Sequence, residues 1–153
     1  MQKRKRISAE RIIMTRREAR DAVFTLLYEY EFQRELSPAD VFAVSVENRD
    51  IAVEADGYIQ TAFFGVCEHR DELDAKIAAH SGSWKPERMS RISRTILRLA
   101  AYELTYMPDI PRNVVLNEAV ELSKRYEGDR APGFVNGILN AMAKAAAADE
   151  AAQ

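Results

Sequence analysis

Residues 90–111 read SRISRTILRLAAYELTYMPDIP, and this stretch decides the fold class. Its apolar residues recur every three or four positions, which is the spacing of one face of an α-helix. Pro108 and Pro111 end the helix, because a proline pushes the residue before it away from helical backbone angles. The face that we expect to be buried consists of Ile92, Ile96, Leu99, Ala100 and Leu104.

The same helical period extends upstream of this stretch. Thr15 and Glu18 match a capping box, in which the threonine accepts from the first turn and the glutamate reaches back to the cap. Ser37 and Pro38 supply a cap and a first helical residue for a short second helix. An apolar stripe over residues 50–80 then predicts one long helix.

Downstream, Asn113 is a candidate cap for the next helix, and Pro132 is the predicted start of the last one. Gly137 lies inside that last helix, where glycine costs about 1 kcal/mol relative to alanine. We expect a close helix crossing at Gly137 to offset this cost. No stretch of the chain alternates convincingly with a period of two, so the predicted fold class is all-α.

Charge is distributed unevenly along the chain. The first twenty residues contain eight lysines and arginines and two glutamates, which gives a net charge of +6. The whole chain carries −2, so residues 21–153 together carry −8. Opposite charges on two parts of one chain predict that the two parts bind different partners.

Composition and motifs exclude several classes of function. The 153 residues and the hydrophobic content of 47% fit one domain or two small helical bundles that share a core. No apolar run reaches the roughly 20 residues of a membrane span. Cys67 is the only cysteine and cannot form an internal disulfide, so we expect a cytoplasmic protein. The sequence shows no grouping for nucleophilic catalysis, no zinc-ligand spacing and no phosphate-binding glycine loop, so we expect no enzymatic activity, metal or cofactor.

The basic segment is the clearest functional signal in the residues themselves. Arg16, Arg17 and Arg20 fall on the first turns of the predicted first helix, where guanidinium groups can meet phosphates with paired hydrogen bonds. The positive charge therefore continues into an ordered helix, which favours nucleic-acid binding over a merely solubilising tail. Single-stranded RNA fits at least as well as duplex DNA. Tyr28 lies off the apolar stripe among acidic residues, which suits a protein interface.

Residues 91–142, RISRTILRLAAYELTYMPDIPRNVVLNEAVELSKRYEGDRAPGFVNGILNAM, closely resemble the C-terminal half of the NusB family of bacterial transcription antitermination factors. The specific motifs are ILRLAAYEL, IPRNVVLNEAVELSK and FVNGIL, which occur in the family's order and with its loop lengths. Residues 15–32, TRREARDAVFTLLYEYEF, resemble the arginine-rich first helix of the family. The resemblance implies an all-α fold of about seven helices in two small packed bundles.

From the pattern and the resemblance together we expect three segments. They are a flexible basic tail over residues 1–14, one helical domain over 15–145, and a frayed tail over 146–153. The helical domain is expected to have an N-terminal half to about residue 84 and a C-terminal half from about residue 85, with the sequence SWKP as the seam.

The resemblance also implies a function. Proteins of this family bind the boxA sequence of nascent RNA as a heterodimer with ribosomal protein S10, also called NusE. The complex joins other Nus factors and RNA polymerase and supports antitermination, chiefly on ribosomal RNA operons. No catalysis or cofactor is implied, and since some relatives pair with themselves, a homodimer is a further candidate assembly.

Seven residues of this chain receive roles from the resemblance. Ser93 occupies a partner-facing position that is acidic in several relatives, and Arg130 occupies a position where relatives often carry an acid or a small polar residue. Phe134 can also be interpreted as a core residue, because it begins an apolar stripe. The implied RNA-binding residues are Arg16, Arg17, Arg20, Arg130 and Phe134, and the implied NusE-facing residues are Tyr28 and Ser93.

Two functions are therefore carried forward. The first is an RNA-binding antitermination factor that binds boxA RNA together with NusE. The second is a protein–protein adaptor without direct sequence-specific RNA binding, in which the basic tail is an accessory. The two differ in whether the chain retards boxA RNA when NusE is present or absent.

Overall fold

In a computed structural model of the chain, the described residues are 14–49, 57–82, 85, 88–128 and 131–152. These residues form seven α-helices, and none of them lies in a β-strand. The prediction of an all-α fold with about seven helices is confirmed. In chain order the helices are α1 (Arg16–Tyr30), α2 (Pro38–Arg49), α3 (Tyr58–Glu68), α4 (Arg70–His80), α5 (Arg91–Tyr106), α6 (Arg112–Glu127) and α7 (Ala131–Ala152).

The chain divides into two compact units, one that ends at Cys67 and one that begins at Glu68. The first unit contains α1, α2 and nearly all of α3, and the second contains α4 to α7. The expected boundary near residue 84 falls inside the second unit, after α4. Residues 1–13, which make up most of the expected basic tail, lie outside the described residues.

The first unit begins with the predicted capping box, which is confirmed. The Thr15 amide donates to Glu18 Oε1 over 2.9 Å, and the Glu18 amide donates to Thr15 Oγ1 over 3.0 Å. Two amide donors that a helix start leaves unpaired are thereby satisfied within four residues. The first turn of α1 therefore has a defined backbone.

The core of the first unit contains a cluster of aromatic rings. The Phe63 ring centroid lies 5.4 Å from that of Phe42 and 5.0 Å from that of Phe64, in tilted and edge-on arrangements. Offset and edge-on geometries are the favourable ones for aromatic pairs. The buried apolar residues of this unit are Ala19, Val23, Phe24, Leu26, Leu27, Val41, Phe42, Tyr58, Ile59, Ala62, Phe63 and Val66.

The prediction of one long helix over residues 50–80 is wrong in the described part of that range. His69 leaves helical angles with φ −103° and ψ 21°, so that α3 ends before it and α4 begins after it. Its imidazole stacks on the Tyr106 ring with centroids 4.4 Å apart. The apolar stripe is in phase on both sides of the break, with Val66 and Leu73 seven residues apart, so periodicity alone could not show it.

Two predicted helix starts also differ from the structure. Pro111 holds the cap position of α6 with φ −58° and ψ 142°, and the helix begins at Arg112. Asn113 is therefore the second helical residue, and its predicted role as a cap is wrong. The last helix begins one residue before Pro132, where proline in the first turn loses no intrahelical hydrogen bond.

In the second unit, α5 is enclosed on most of its sides and packs with α4, α6 and α7. Three of the five residues of the predicted face, Ile96, Leu99 and Ala100, are buried, and the other two are partly exposed. Leu97 and Ala101 add a second buried side. The buried residues of α5 also include the polar or charged Ser93, Thr95, Arg98 and Glu103. The other buried apolar residues of this unit are Leu73, Ile77, Met89, Tyr102, Val115, Ala119, Leu122, Val135, Ile138, Leu139 and Met142.

α7 is the longest helix in the described part of the chain and continues to Ala152, through most of the segment that we expected to fray. Alanine has the highest helix propensity of all residues, which suits the alanine-rich end to a helix. The close crossing expected at Gly137 is wrong, because a Cβ added there would meet no heavy atom within 4 Å. None of the helices in the described ranges has the length and apolar composition that crossing a bilayer requires.

Candidate nucleic-acid and partner interface

The first turn of α1 carries two of the predicted RNA-binding residues. Arg16 and Arg17 are both exposed and follow directly on the Thr15 cap. The capping hydrogen bonds fix the backbone from which their side chains leave. Two cationic side chains on a capped helix start form a surface that suits an anionic ligand.

Tyr58, the first residue of α3, lies beneath this surface. The Arg16 guanidinium carbon is 4.3 Å from the centroid of the Tyr58 ring, and that of Arg20 is 5.7 Å from it. Both distances fall within the roughly 6 Å over which a ring face attracts a cation. Tyr58 is itself buried, so it provides a fixed support for Arg16 and Arg20.

Arg20 differs from the two preceding arginines in its burial. Only 4% of its surface is exposed, whereas Arg16 and Arg17 are open to solvent. Arg16 and Arg20 are four residues apart and so lie on one face of α1, and both guanidinium groups lie near the Tyr58 ring. The assignment of Arg20 to the RNA site stays a prediction.

Tyr28, the predicted NusE-facing residue of α1, is partly exposed and belongs to an aromatic series. Its ring stacks on Phe24 with centroids 5.9 Å apart and meets Phe32 edge-on at 5.1 Å. Phe24 is buried, while Phe32 is 53% exposed, so the series runs from the core to the surface. An aromatic residue that is exposed beside another is typical of a protein-binding surface.

Ser93, the second predicted NusE-facing residue, is only 4% exposed on the first turn of α5. Its hydroxyl donates to Glu127 Oε1 over 2.5 Å, and its amide donates to the Ser90 hydroxyl over 3.0 Å. The Ser90 hydroxyl in turn donates to Glu127 Oε2. The side chain of Ser93 is thus covered by a carboxylate from the end of α6.

The structure describes only one of the two predicted RNA-binding residues of the second unit. Phe134 is partly exposed in the first turn of α7, next to the fully buried Val135. This intermediate position is compatible with both the core and the RNA interpretations. Arg130 lies outside the described residues.

A separate polar network joins the start of α4 to the end of α5. The Tyr106 hydroxyl donates to Glu72 Oε1 over 2.6 Å, and His69 Nδ1 lies 3.1 Å from the same oxygen. The hydrogen bond from Tyr106 is the main cause that lowers the pKa of Glu72, and the same bond raises the pKa of Tyr106. No predicted site residue belongs to this network. Within the described ranges, no group of three or more His, Cys, Asp or Glu side chains is arranged to hold a metal ion.

Sequence reasoning missed Tyr58 and Glu127 as parts of the candidate surfaces. In the sequence Tyr58 falls within the apolar stripe over residues 50–80, and Glu127 is one of many acidic residues. Nothing in the sequence pairs Tyr58 with arginines about forty residues earlier, or Glu127 with serines more than thirty residues earlier. These pairings appear only when the helices are packed.

Taken together, these features define an all-α binding protein, with arginines suited to an anionic polymer and an aromatic, acidic set of side chains suited to a protein. The NusB family model matches residues 17–144. The chain belongs to the NusB family.

Curated relatives are similar over most of their length. The transcription antitermination protein NusB of Bacillus subtilis is 42% identical over 127 residues, which cover 83% of this chain and 93% of that protein. The protein of the same name from Enterococcus faecalis is 40% identical over 140 residues, covering 86% and 90% respectively.

Solved structures show the same similarity. NusB from T. maritima superimposes with a TM-score of 0.76 at 34% identity, over 86% of this chain and 92% of that one. A crystal structure of the antitermination factors NusB and NusE in complex with double-stranded RNA contains a chain that matches with a TM-score of 0.75 at 31% identity. That match covers 85% of this chain and 96% of the other.

Proposed function

We propose that this protein is an RNA-binding transcription antitermination factor that acts in the cytoplasm. In this proposal it binds boxA RNA together with NusE and supports processive transcription of ribosomal RNA operons, in a complex with other Nus factors and RNA polymerase. The observation that carries the proposal is the capped first turn of α1, which presents Arg16 and Arg17 to solvent. The names of its curated relatives and the similarity to a chain in a NusB–NusE–RNA complex support it.

The mechanism is assembly rather than catalysis. Arg16 and Arg17 neutralise RNA phosphates, and binding therefore weakens as salt rises. Phe134 offers a ring on which a base can stack, as exposed aromatic residues do in single-strand recognition. Arg20 and Arg130 complete the proposed RNA-binding set.

In this proposal NusE contacts Tyr28 in the first unit and the start of α5, near Ser93, in the second unit. Tyr28 and the neighbouring exposed Phe32 provide apolar contact area, and nearby acids complement a basic partner. If NusE raises the affinity for RNA by some factor, RNA raises the affinity for NusE by the same factor. One coupling free energy links the two binding events. The protein thereby joins an RNA signal to a protein component of the transcription complex.

The exposed Phe32 beside Tyr28 also fits a second function, an adaptor that binds protein but not RNA. A fluorescence-anisotropy titration of labelled boxA RNA distinguishes the two. We expect boxA to bind more tightly than a scrambled RNA of equal length, and NusE to increase this preference.

An adaptor would leave both RNAs unbound, with or without NusE. That result would overturn the proposed function. Equal affinity for boxA and scrambled RNA in the presence of NusE would overturn the sequence-specific part of it and leave a nonspecific RNA binder.

A further inference from the structure

Ser93 presents a contradiction between its predicted role and its place in the structure. A residue that contacts a partner protein needs a reachable side chain, yet only 4% of Ser93 is exposed. Its single hydroxyl proton is used in the 2.5 Å hydrogen bond to Glu127 Oε1. The group that stands over Ser93 and remains partly exposed is the Glu127 carboxylate.

Two serines at the start of α5, Ser90 and Ser93, donate hydrogen bonds to the Glu127 carboxylate. Ser90 caps α5 by accepting from the Ser93 amide, and its own hydroxyl donates to Glu127 Oε2. Each carboxylate oxygen of Glu127 therefore accepts one hydroxyl proton from the start of α5. This two-point attachment fixes the direction in which the carboxylate faces.

The attachment also explains an unusual placement of charge. Glu127 is the last residue of α6, where the helix dipole disfavours a negative charge, and Lys124 and Arg125 in the same turn follow the usual rule. Contact with the start of α5 places the carboxylate near a helix N-terminus, where a negative charge is favoured. A carboxylate offers about four acceptor positions, and the two serines use two of them.

We propose that Glu127 supplies, from α6, an acidic contact to the partner protein at the start of α5. The inference rests on the proposed function, since it names a residue and a charge for the NusE-facing surface. The matching group on the partner is a cationic side chain, a lysine or an arginine, which can bond the remaining acceptor positions of the carboxylate. Ser90 and Ser93 act as positioning residues for Glu127.

Charge decides between a protein and an RNA as the occupant of this position. A carboxylate repels phosphate, so Glu127 would weaken RNA binding if RNA passed over it. A basic protein surface is attracted by the same group, and an oriented carboxylate at an interface also selects the register of its partner. The charge of Glu127 therefore favours the protein partner at this position.

The test is a titration of NusE against the full chain and its Glu127→Gln variant, by isothermal calorimetry at two salt concentrations. The amide keeps the size of the side chain and can still accept from a serine, but it carries no charge. We expect at least a fivefold weaker affinity for the variant and a smaller dependence of its affinity on salt. The matched control is Glu121→Gln, also on α6, whose exposed carboxylate lies 3.7 Å from Lys124; we expect its affinity to stay within twofold of the original chain.

A second pair of variants moves the carboxylate from α6 to α5. We expect Glu127→Ser alone to bind NusE weakly. We expect Glu127→Ser combined with Ser93→Glu to regain at least half of the lost affinity for NusE. Thermal melting of each variant checks that it is folded. A folded double variant that binds no better than Glu127→Ser would overturn the proposal.

The remaining outcomes are also decisive. An original chain that does not bind NusE overturns the proposed function itself, and the inference with it. An original chain that binds NusE, with a Glu127→Gln variant within twofold of it, overturns only the inference. A Glu127→Gln variant that binds RNA more tightly and NusE unchanged places the carboxylate at the RNA surface and also overturns the inference.

Discussion

Arg98 shows how one residue can decide the stability of a helical bundle. It is buried in α5, and its guanidinium forms two hydrogen bonds with Asp74 of α4, Nε to Oδ1 over 2.7 Å and Nη2 to Oδ2 over 3.1 Å. A paired geometry of this kind is the strongest that arginine and a carboxylate can adopt. The pair joins two helices of the second unit, with the Arg98 side chain buried and the Asp74 side chain partly exposed.

Replacing Asp74 with alanine should therefore be costly. Asp74→Ala removes the carboxylate that accepts two hydrogen bonds from a buried guanidinium, and we expect the free energy of unfolding to fall by about 2–4 kcal/mol. Urea denaturation followed by circular dichroism measures this. Glu121→Ala, which removes an exposed pair with Lys124, should change the same quantity by less than about 0.5 kcal/mol. Equal effects of the two substitutions would show that the Arg98 pair contributes no more than a surface ion pair.

The bond between Tyr106 and Glu72 should appear in the pH dependence. We expect the pKa of Glu72 to rise toward its ordinary value of 4.5 in Tyr106→Phe, because the phenol donor that lowers it is lost. A lowered folded-state pKa stabilises the folded chain above pH 4.5, and this contribution is lost as the pH falls through the folded pKa. The difference in melting temperature between the two proteins should thus shrink on acidification.

Carboxyl-detected titration of Glu72 measures the pKa directly, and melting curves between neutral and acidic pH measure the stability. Tyr126→Phe is the matched control, since that exposed ring lies on α6 near Arg125 and has no hydrogen bond to Glu72 in the described residues. An unchanged Glu72 pKa in Tyr106→Phe would contradict the assignment.

Single residues also mark the limit of what the sequence could predict here. The arginines of α1 were identifiable from charge and spacing, but the burial of Arg20 against Tyr58 depends on the packing of α1 with a helix forty residues later. Ser93 was placed by resemblance, while its cover by Glu127 depends on where α6 ends relative to α5. Short-range patterns contain no information about such contacts.

At the scale of helices, the features that could be predicted correctly from the sequence depend on residues close together in the chain. The capping box of α1 is complete within four residues, and it was predicted correctly because both of its hydrogen bonds are local. The apolar face of α5 was predicted for the same reason. The break at His69 was missed because the apolar period continues across it, and the start of α6 was misplaced by two residues because asparagine and proline both fit a helix start.

Two glycines give a prediction that separates backbone angle from packing. A Cβ added at Gly137 or at Gly82 would meet no heavy atom within 4 Å, but Gly82 has φ +64° and Gly137 lies inside α7. Gly137→Ala should raise the free energy of unfolding by up to about 1 kcal/mol, because alanine favours the helix. Gly82→Ala should lower it by about 1 kcal/mol, because a side chain disfavours left-handed angles.

Both variants can be compared in one urea series. A destabilised Gly137→Ala would mean that α7 is closely approached at that point, as the sequence had suggested. A neutral Gly82→Ala would mean that the turn after α4 adapts without cost.

On the scale of the whole molecule, the uneven charge determines how the protein meets RNA. The first twenty residues carry +6 and the remainder carries −8, so phosphates are attracted to one end of the sequence and repelled by much of the rest. The salt dependence of RNA binding should therefore be set by the few arginines that contact phosphates, and less by the total charge of −2.

The salt dependence of boxA binding tests this distribution. Each phosphate contact with single-stranded RNA contributes about 0.7 to the slope of log affinity against log salt. Replacing Arg16 and Arg17 with alanine should reduce the slope by about 1.4, and the further change Arg20→Ala should bring the reduction to about 2. The affinity is measured by anisotropy at several potassium chloride concentrations.

Arg112→Ala is the control for this series, because Arg112 pairs with Glu150 in the second unit. Its slope should equal that of the original chain. If the triple variant has the same slope as the double variant, Arg20 contacts no phosphate and serves only to pack on Tyr58. If the double variant keeps the original slope, neither exposed arginine belongs to the RNA site.

The position of Arg16 over Tyr58 has a practical consequence. The Arg16 guanidinium carbon lies over the Tyr58 ring, 4.3 Å from its centroid. Protons over the face of an aromatic ring are shielded by the ring current, so the Nε–H resonance of Arg16 should lie upfield of its usual frequency. A ligand that draws the guanidinium away from the ring removes the shielding and moves the signal downfield. The Arg16 Nε–H resonance therefore shows whether RNA occupies the start of α1. No dye has to be attached to the protein or to the RNA.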